Sequence, residues 1–236
     1  MLPSVVMKRL SEIDALRGLA VALMVLYHFA FDGTFMGVWD FNMYSWWVEL
    51  GGTFVRFTFL GLVGVSVVLS SRNFTGQLKR GAMVFGFGAL ITLATLIVIP
   101  EYAVWFGILH LIGVSIPLVR LFKGHPWIAA ATAIWVVRMG EILSGTFAAT
   151  PWLLWLGIPP AGFASVDYFP IFPWLAVPLI GLSLGHWVYG ERKSTPLKIL
   201  TEVPGLTWMG RYALAIYVIH QPVIIAGFWV YAVLIA

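Results

Sequence analysis

The sequence predicts an all-α membrane protein, a polytopic bundle of about seven transmembrane helices with a cytoplasmic N-terminus. Of its 236 residues, 61% are hydrophobic and 10% are charged, whereas soluble domains are about 25% charged. The apolar residues form continuous runs, which are typical of helices that cross a bilayer and not of the alternating strands of a β-barrel. The chain has no cysteine, which excludes disulfides, a thiolate nucleophile and cysteine metal ligands.

The apolar runs predict seven spans within a single domain that covers residues 1–236. One crossing requires about 20 apolar residues, and the length of each run is close to this value or exceeds it. Residues 150–168 contain PWLLWLGIPPAG, which is too short and too rich in proline to cross, so we expect an interfacial or re-entrant segment there. The predicted spans are residues 13–35, 46–70, 81–99, 102–121, 127–143, 169–189 and 207–235.

The distribution of charge supports this topology. With the N-terminus in the cytoplasm, all but two of the 14 basic residues fall on the cytoplasmic side of the seven spans. The exceptions are Arg56 and Arg138. Such a bias of lysine and arginine sets the orientation of membrane proteins. Six of the ten acidic residues lie on the opposite side; they are Asp32, Asp40, Glu49, Glu101, Glu141 and Asp167.

Four ionisable side chains lie well inside the apolar spans: His28, Arg56, His110 and His220. Each costs about 2.5–3.5 kcal/mol at the centre of a bilayer, so such groups usually face the bundle interior and mark a functional path. At 1.5 Å per residue, their positions relative to the predicted midpoints place them in a layer roughly 6 Å deep. Asp32 follows His28 by four residues and shares its helix face, where it could orient the imidazole.

These polar groups also have a structural interpretation. A lone intramembrane histidine often forms a hydrogen bond between helices, which is an alternative for His110 and His220. Arg56 could simply neutralise Asp32 or Glu49. The occurrence of four such groups at one depth favours the functional interpretation, in which His28, Asp32, Arg56 and His110 are the catalytic candidates.

A second group of charges lies at the cytoplasmic ends of the predicted spans and consists of Arg17, Lys79, Arg80 and Arg211. Arginine forks match the geometry of phosphate, so these residues are candidates for binding a phosphorylated ligand. The alternative is ordinary positive-inside topology with contacts to anionic lipids. Arg17 and Arg211 are the stronger candidates because they lie at or inside the membrane boundary.

Four segments resemble a known family. RLSEIDALRGLAVALMVLYHFAFD (9–32) resembles the opening signature of the transmembrane acyltransferase superfamily, an Asp and an Arg-Gly before an apolar helix that ends in His. GILHLIGVS (107–115), DYFPIFPWLAVPLIGLSLG (167–185) and MGRYALAIYVIHQPV (209–223) resemble its later segments. Together they are similar, in the same order, to the small prokaryotic relatives of heparan-alpha-glucosaminide N-acetyltransferase.

The resemblance implies an acyltransferase that takes an acyl group, most simply acetyl, from cytoplasmic acyl-CoA. The acceptor would be a hydroxyl or amine of a glycan or lipid-linked molecule. Asp14, Arg17, His28 and His220 match motif positions of the family, and we assign His220 and Asp167 to substrate binding. The resemblance further implies a multi-pass protein of the prokaryotic inner membrane, contacts with membrane lipids, no metal, no nucleic acid and, by analogy with the lysosomal enzyme, a homodimer.

One departure leaves alternatives open. In the lysosomal enzyme the catalytic histidine lies in the loop after the first span, and the corresponding residues 33–45 contain none. Either His28 takes that role, or the chemistry differs, or activity is absent. Two other classes are alternatives: a haem-binding electron-transfer protein that pairs His28 with His110 or His220, and a small-molecule transporter with charges at the bilayer midplane.

Overall fold

The computed structural model describes residues 10–190 and 198–235 and confirms the predicted all-α class. Within these residues the only β-type pairing is an isolated bridge between Ala148 and Pro160. The α-helices of this part of the chain are α1 (Ser11–Phe35), α2 (Trp46–Leu69), α3 (Phe74–Val98), α4 (Ile108–Arg120), α5 (Pro126–Leu143), α6 (Ile171–Trp174), α7 (Ala176–Tyr189), α8 (Leu206–Arg211) and α9 (Ala213–Ile235).

The long helices have the length and composition of membrane spans. In the described residues, six helical segments qualify: α1, α2, α3, α5, α6 with α7, and α9. Helix α4 is apolar but has only 13 residues. Large apolar side chains project outward from the spans, as expected for surfaces in contact with lipid; Phe35 and Ile97 are each 83% exposed. The count of seven crossings and the cytoplasmic N-terminus stay predictions.

Two helix boundaries differ from the sequence-based ones for identifiable reasons. Helix α3 begins at Phe74 and not near residue 81, because the Asn73 side chain accepts a hydrogen bond from the Gly76 N–H (2.9 Å) and caps the helix. Helix α4 begins at Ile108 and not at 102, because the preceding backbone pairs with a later segment. The Val166 N–H donates to the Tyr102 carbonyl across 3.0 Å, so residues 102–107 form a connecting segment that precedes the helix.

Residues 150–168 form no crossing helix, in agreement with the expectation for this proline-rich segment. A 3-10 helix covers Pro151–Leu156. The Tyr168 hydroxyl donates to the Leu154 carbonyl (2.7 Å) and fastens the end of the segment to that helix. Burial raises the pKa of Tyr168 to about 12, so the phenol keeps the proton that it donates.

The chain divides into two compact units. The central unit comprises the described residues from 60 to 190, in which α3 packs on α4 and α5 packs on α6 and α7. Small residues allow the helices to approach closely: a Cβ on Gly81 would collide with the Gly113 carbonyl oxygen. The Ser183 hydroxyl, buried between α7 and α5, donates to the Pro126 carbonyl (2.8 Å).

The terminal unit comprises residues 10–59 and 198–235, so it joins the first described helices to the last. Helix α1 packs on α8 and α9. Where α1 crosses α8, a Cβ on Gly18 would collide with the Leu206 carbonyl, and one on Gly210 with the Asp14 carbonyl. The two backbones therefore touch at a crossing that accepts no side chain at either glycine.

Candidate active site

The centre of the terminal unit is a pair of imidazoles. His28 on α1 and His220 on α9 lie with their ring centroids 4.9 Å apart and their planes at 56°. Both side chains are half-buried. Tyr27 and Tyr217 pack edge-on against His28 and His220, with centroid distances of 5.6 and 5.8 Å. The structure thus brings together two of the histidines that the sequence placed at one depth.

The tautomer of His220 follows from its hydrogen bond. Its Nδ1 lies 2.7 Å from the Tyr217 carbonyl oxygen. Because a carbonyl oxygen can only accept, Nδ1 must carry the proton and donate it, and in the neutral ring Nε2 then holds the lone pair. This Nε2 is buried and has no hydrogen-bond partner among the described residues. An unpaired imidazole lone pair is the group that a general base requires.

Asp32 lies one turn along α1 from His28, and its partner is a residue that the sequence analysis missed. The Gln221 Nε2 donates to Asp32 Oδ2 across 2.8 Å, while Asp32 is only 7% exposed. This hydrogen bond joins α1 to α9, and the expected orientation of His28 by Asp32 stays a prediction. The one available signal was that Gln221 directly follows a candidate site histidine.

Arg56 and His110 lie in different units. Arg56, in the part of α2 that belongs to the terminal unit, donates to the Thr53 hydroxyl (2.9 Å), and its buried Nε has no partner among the described residues. His110, in the central unit, lies between the rings of Phe85 (4.8 Å) and Phe106 (5.7 Å). That all four side chains lie in one layer of the membrane stays a prediction. The contact that the structure shows among them is the one between the rings of His28 and His220.

The basic candidates Arg17 and Arg211 meet at one carboxylate. Arg17 donates to Asp14 Oδ1 (2.7 Å), and the Arg211 Nε lies 3.9 Å from Asp14 Oδ2. Asp14 is 2% exposed and Arg17 17%, whereas Arg211 is 56% exposed. The other two basic candidates, Lys79 and Arg80, lie on α3 in the central unit.

Asp167, expected to bind substrate, forms a hydrogen bond to the backbone at the start of α4 in the central unit. Its Oδ2 accepts a hydrogen bond from the Ile108 N–H (3.1 Å) at the first turn of α4. Burial raises the pKa of Asp167 to about 6, while the bond from Ile108 opposes that rise. Gly107 is required beside it, because a Cβ there would collide with Oδ2. Substrate binding by Asp167 stays a prediction.

A cavity of about 280 Å³ lies next to this segment, between the end of α5 and the residues that precede α7. Its wall contains the rings of Phe147, Tyr168 and Trp174 and the hydroxyls of Ser144 and Thr146. Glycine and proline residues form much of the remaining wall. The cavity lies wholly within the central unit.

The histidine pair does not fit bis-imidazole ligation of haem. Axial ligands coordinate from opposite faces of the porphyrin, with the metal between them, and rings with centroids 4.9 Å apart leave no space for it. In the part of the chain that the structure describes, no three His, Cys, Asp or Glu side chains form a potential metal site.

The fold is that of a polytopic helix bundle, and its terminal unit holds a pair of histidines and a pair of arginines beside Asp14. The family model described as heparan-alpha-glucosaminide N-acetyltransferase, catalytic, matches residues 9–222. The chain belongs to this family, and this confirms the resemblance. The family is one of membrane acetyltransferases, so its members are transferase enzymes. Neither the curated proteins nor the solved structures give a match.

Proposed function

We propose that the protein is an acyl-CoA-dependent acyltransferase that moves an acetyl group from cytoplasmic acetyl-CoA to an amine or hydroxyl of a glycan or lipid-linked acceptor. The observation that carries the proposal is the imidazole pair of His28 and His220, in which the Nε2 of His220 is buried and has no hydrogen-bond partner among the described residues. Membership of the N-acetyltransferase family supplies the reaction class.

The histidine pair is the general base. His220 Nε2 takes a proton from the acceptor as its nitrogen or oxygen attacks the thioester carbonyl, a role that contributes about 10²–10⁴-fold in rate. His28 lies in ring contact with His220, and a positive charge on both rings at once is disfavoured because two imidazolium ions repel each other at this separation. The sequence analysis assigned the base to His28 alone, and the unpartnered Nε2 of His220 supports adding His220 to the proposal.

The phosphates of CoA are held by basic residues at the cytoplasmic side. Asp14 accepts a hydrogen bond from Arg17 and lies close to Arg211, which brings two guanidinium groups together, and guanidinium groups match the geometry of phosphate. Lys79 and Arg80 on α3 are the further candidates for this role. The bound CoA would then deliver its thioester along the pantetheine arm towards the middle of the membrane.

Oxyanion stabilisation falls to Arg56 or His110. Arg56 has a buried Nε–H with no acceptor among the described residues, and an uncommitted donor of this kind can stabilise the charge that develops on the thioester oxygen. His110 also has an unpartnered ring nitrogen, Nδ1. The surrounding bilayer would limit hydrolysis of the thioester by water.

The test is thiol release from acetyl-CoA by protein purified in nanodiscs, with a panel of amino sugars, glycans and lipids as acceptors. We expect His28→Ala and His220→Ala each to lower acceptor-dependent release by at least about 10²-fold while CoA binding is retained. His186→Ala is the matched control, since this histidine lies on α7 in the central unit. Release at the wild-type rate in both site variants would remove the pair from the mechanism.

The orientation and assembly proposals require separate measurements. A cysteine-free chain is well suited to scanning with single introduced cysteines, and we expect one placed beside Lys79 to be labelled only from the cytoplasm. The homodimer rests on family analogy alone, and the protein mass in nanodiscs would determine it.

A further inference from the structure

We propose that the cavity between the end of α5 and the residues that precede α7 binds one acyl chain of a membrane lipid, which enters from the lipid-facing side of α5. The cavity lies wholly in the central unit. This inference is independent of the proposed acyl transfer, because it uses none of the residues assigned to that reaction.

The wall of the cavity carries no charged side chain among the described residues. Four aromatic residues, three prolines and three glycines form it together with one serine and one threonine. The sequence itself has no charged residue between Glu141 and Asp167, and Asp167 is engaged with the Ile108 N–H. A phosphate, carboxylate or ammonium group inside the cavity would lose its water without meeting an opposite charge. The part of the ligand that enters is therefore neutral.

The cavity also offers few free donors to a polar ligand. The Thr146 hydroxyl donates to the Leu143 carbonyl (2.6 Å), and the Tyr168 hydroxyl donates to the Leu154 carbonyl (2.7 Å). Each hydroxyl has one proton, so both of these donors are used within the protein. A sugar buried against this wall would leave polar groups unpaired, at a cost that a hydrocarbon chain does not incur.

The cavity adjoins the lipid-facing surface of α5. This helix has the length and composition of a membrane span, and its Ile134 and Trp135 are 67% and 55% exposed. The Trp135 ring contacts the ring of Phe172 in the cavity wall, with centroids 5.6 Å apart. Phe147, also in the wall, is exposed. Apolar side chains thus continue from the outside of the span to the cavity, and the molecules that surround such a surface in a bilayer are lipids.

The volume of the cavity suits part of a lipid. At about 280 Å³ it lies just below the range of about 300–1,000 Å³ found for drug-sized ligands, so it accepts a stretch of one chain and not a whole phospholipid. A chain gains no hydrophobic free energy by leaving other chains, since they are equally apolar. It gains dispersion contacts with walls that would otherwise border a void.

The Ser144 hydroxyl can hold the polar end of the bound chain. Ser144 is exposed, lines the cavity and has no hydrogen-bond partner in the part of the chain that the structure describes. Its proton is therefore available to an ester carbonyl oxygen of the lipid, which can only accept. The headgroup stays outside the cavity in this arrangement.

The experiment is photo-crosslinking in nanodiscs of phosphatidylcholine that carries a diazirine in one acyl chain, with mass spectrometry of the labelled peptides. We expect labels on Phe172 and Trp174 in the wall and on Ile134, which faces the lipid. The same lipid with the diazirine in its headgroup should leave Phe172 and Trp174 unlabelled. A label on Ile134 without a label on either wall residue would overturn the inference, and so would equal labelling of the wall by both probes.

A variant that fills the cavity separates a bound chain from lipid that touches the outside of these rings. Ser144→Trp places an indole in the wall without removing a hydrogen bond from the described residues. We expect it to lose the labels on Phe172 and Trp174 and to retain the label on Ile134. The control is Ala149→Trp, which adds the same ring at an exposed residue outside the wall and should retain all three labels. Wall labels that persist in Ser144→Trp would contradict a bound chain.

A second variant covers the case in which Ser144→Trp does not fold. Thr146→Trp also places an indole in the wall, and a melting curve shows which of the two variants is folded. The comparison of chain and headgroup probes on the wild type requires no variant, so labelling of the wall by the chain probe alone decides the inference in either case.

Discussion

Replacing Asp167 with asparagine should make the protein more stable at neutral pH. The carboxylate caps α4 through the Ile108 N–H, yet its burial raises its pKa from 3.8 to about 6. A raised pKa means that the folded state holds the proton more tightly than the unfolded state does. The associated stability is fully present below about pH 3.8 and is lost as the pH rises through about 6.

The magnitude follows from the size of the shift. Two units or slightly more, at about 1.4 kcal/mol per unit, correspond to about 3 kcal/mol of stability lost between pH 4 and pH 7. Asparagine keeps a side-chain oxygen that accepts from the Ile108 N–H and carries no charge to desolvate. The free energy of unfolding of Asp167→Asn should therefore lack this loss.

The assay is thermal unfolding of the detergent-solubilised protein, followed by tryptophan fluorescence at several pH values from 4 to 7.5. The difference in melting temperature between Asp167→Asn and the wild type should grow in favour of the variant as the pH rises. Asp167→Ala is the control for the lost cap and should be destabilised by about 1 kcal/mol relative to asparagine at every pH. Parallel pH profiles for the wild type and Asp167→Asn would refute the reasoning.

Three further predictions concern the remaining contacts. Arg17→Ala should raise the KM for acetyl-CoA about tenfold with little change in kcat, because the variant loses a charged hydrogen bond to phosphate. Arg211→Ala should raise this KM less, because Arg211 is more exposed. An unchanged KM in both variants would contradict the assignment of these residues to CoA binding. Gly210→Val should lower the free energy of unfolding by about 3 kcal/mol, because its Cβ has no space beside the Asp14 carbonyl; a melting curve measures this, and an unchanged midpoint would be inconsistent with the α1–α8 crossing. His110→Phe should keep the melting temperature while lowering kcat about tenfold, if its ring nitrogens stabilise the oxyanion; full activity would assign His110 to packing alone.

The sequence predicted the helices well because hydropathy over 20 residues is a local property. It did not predict boundaries that depend on other parts of the chain. The late start of α4 depends on the pairing of the Tyr102 carbonyl with Val166, a contact between distant segments. The early start of α3 had a local signal in Asn73, which is a good N-cap residue, but the basic residues that follow lowered the apparent hydropathy there.

The candidate site was predictable in part. Depth within the spans correctly suggested that His28 and His220 could meet, because rise per residue is fixed in a helix. It could not show which face of each helix points inward, so Gln221, the hydrogen-bond partner of Asp32, was missed. The pairing of Arg17 with Asp14 follows from their spacing of three residues, whereas the approach of Arg211 required the crossing of α1 and α8.

The contacts between α1 and α9 have a consequence for biosynthesis. A membrane protein is inserted from its N-terminus, so α1 enters the bilayer with His28 and Asp32 long before their partners on α9 have been translated. During that interval the two polar side chains lack the interactions that offset their burial in lipid. Arrival of α9 relieves this penalty and creates the imidazole pair in the same event, so the two histidines meet only when the last described helix docks.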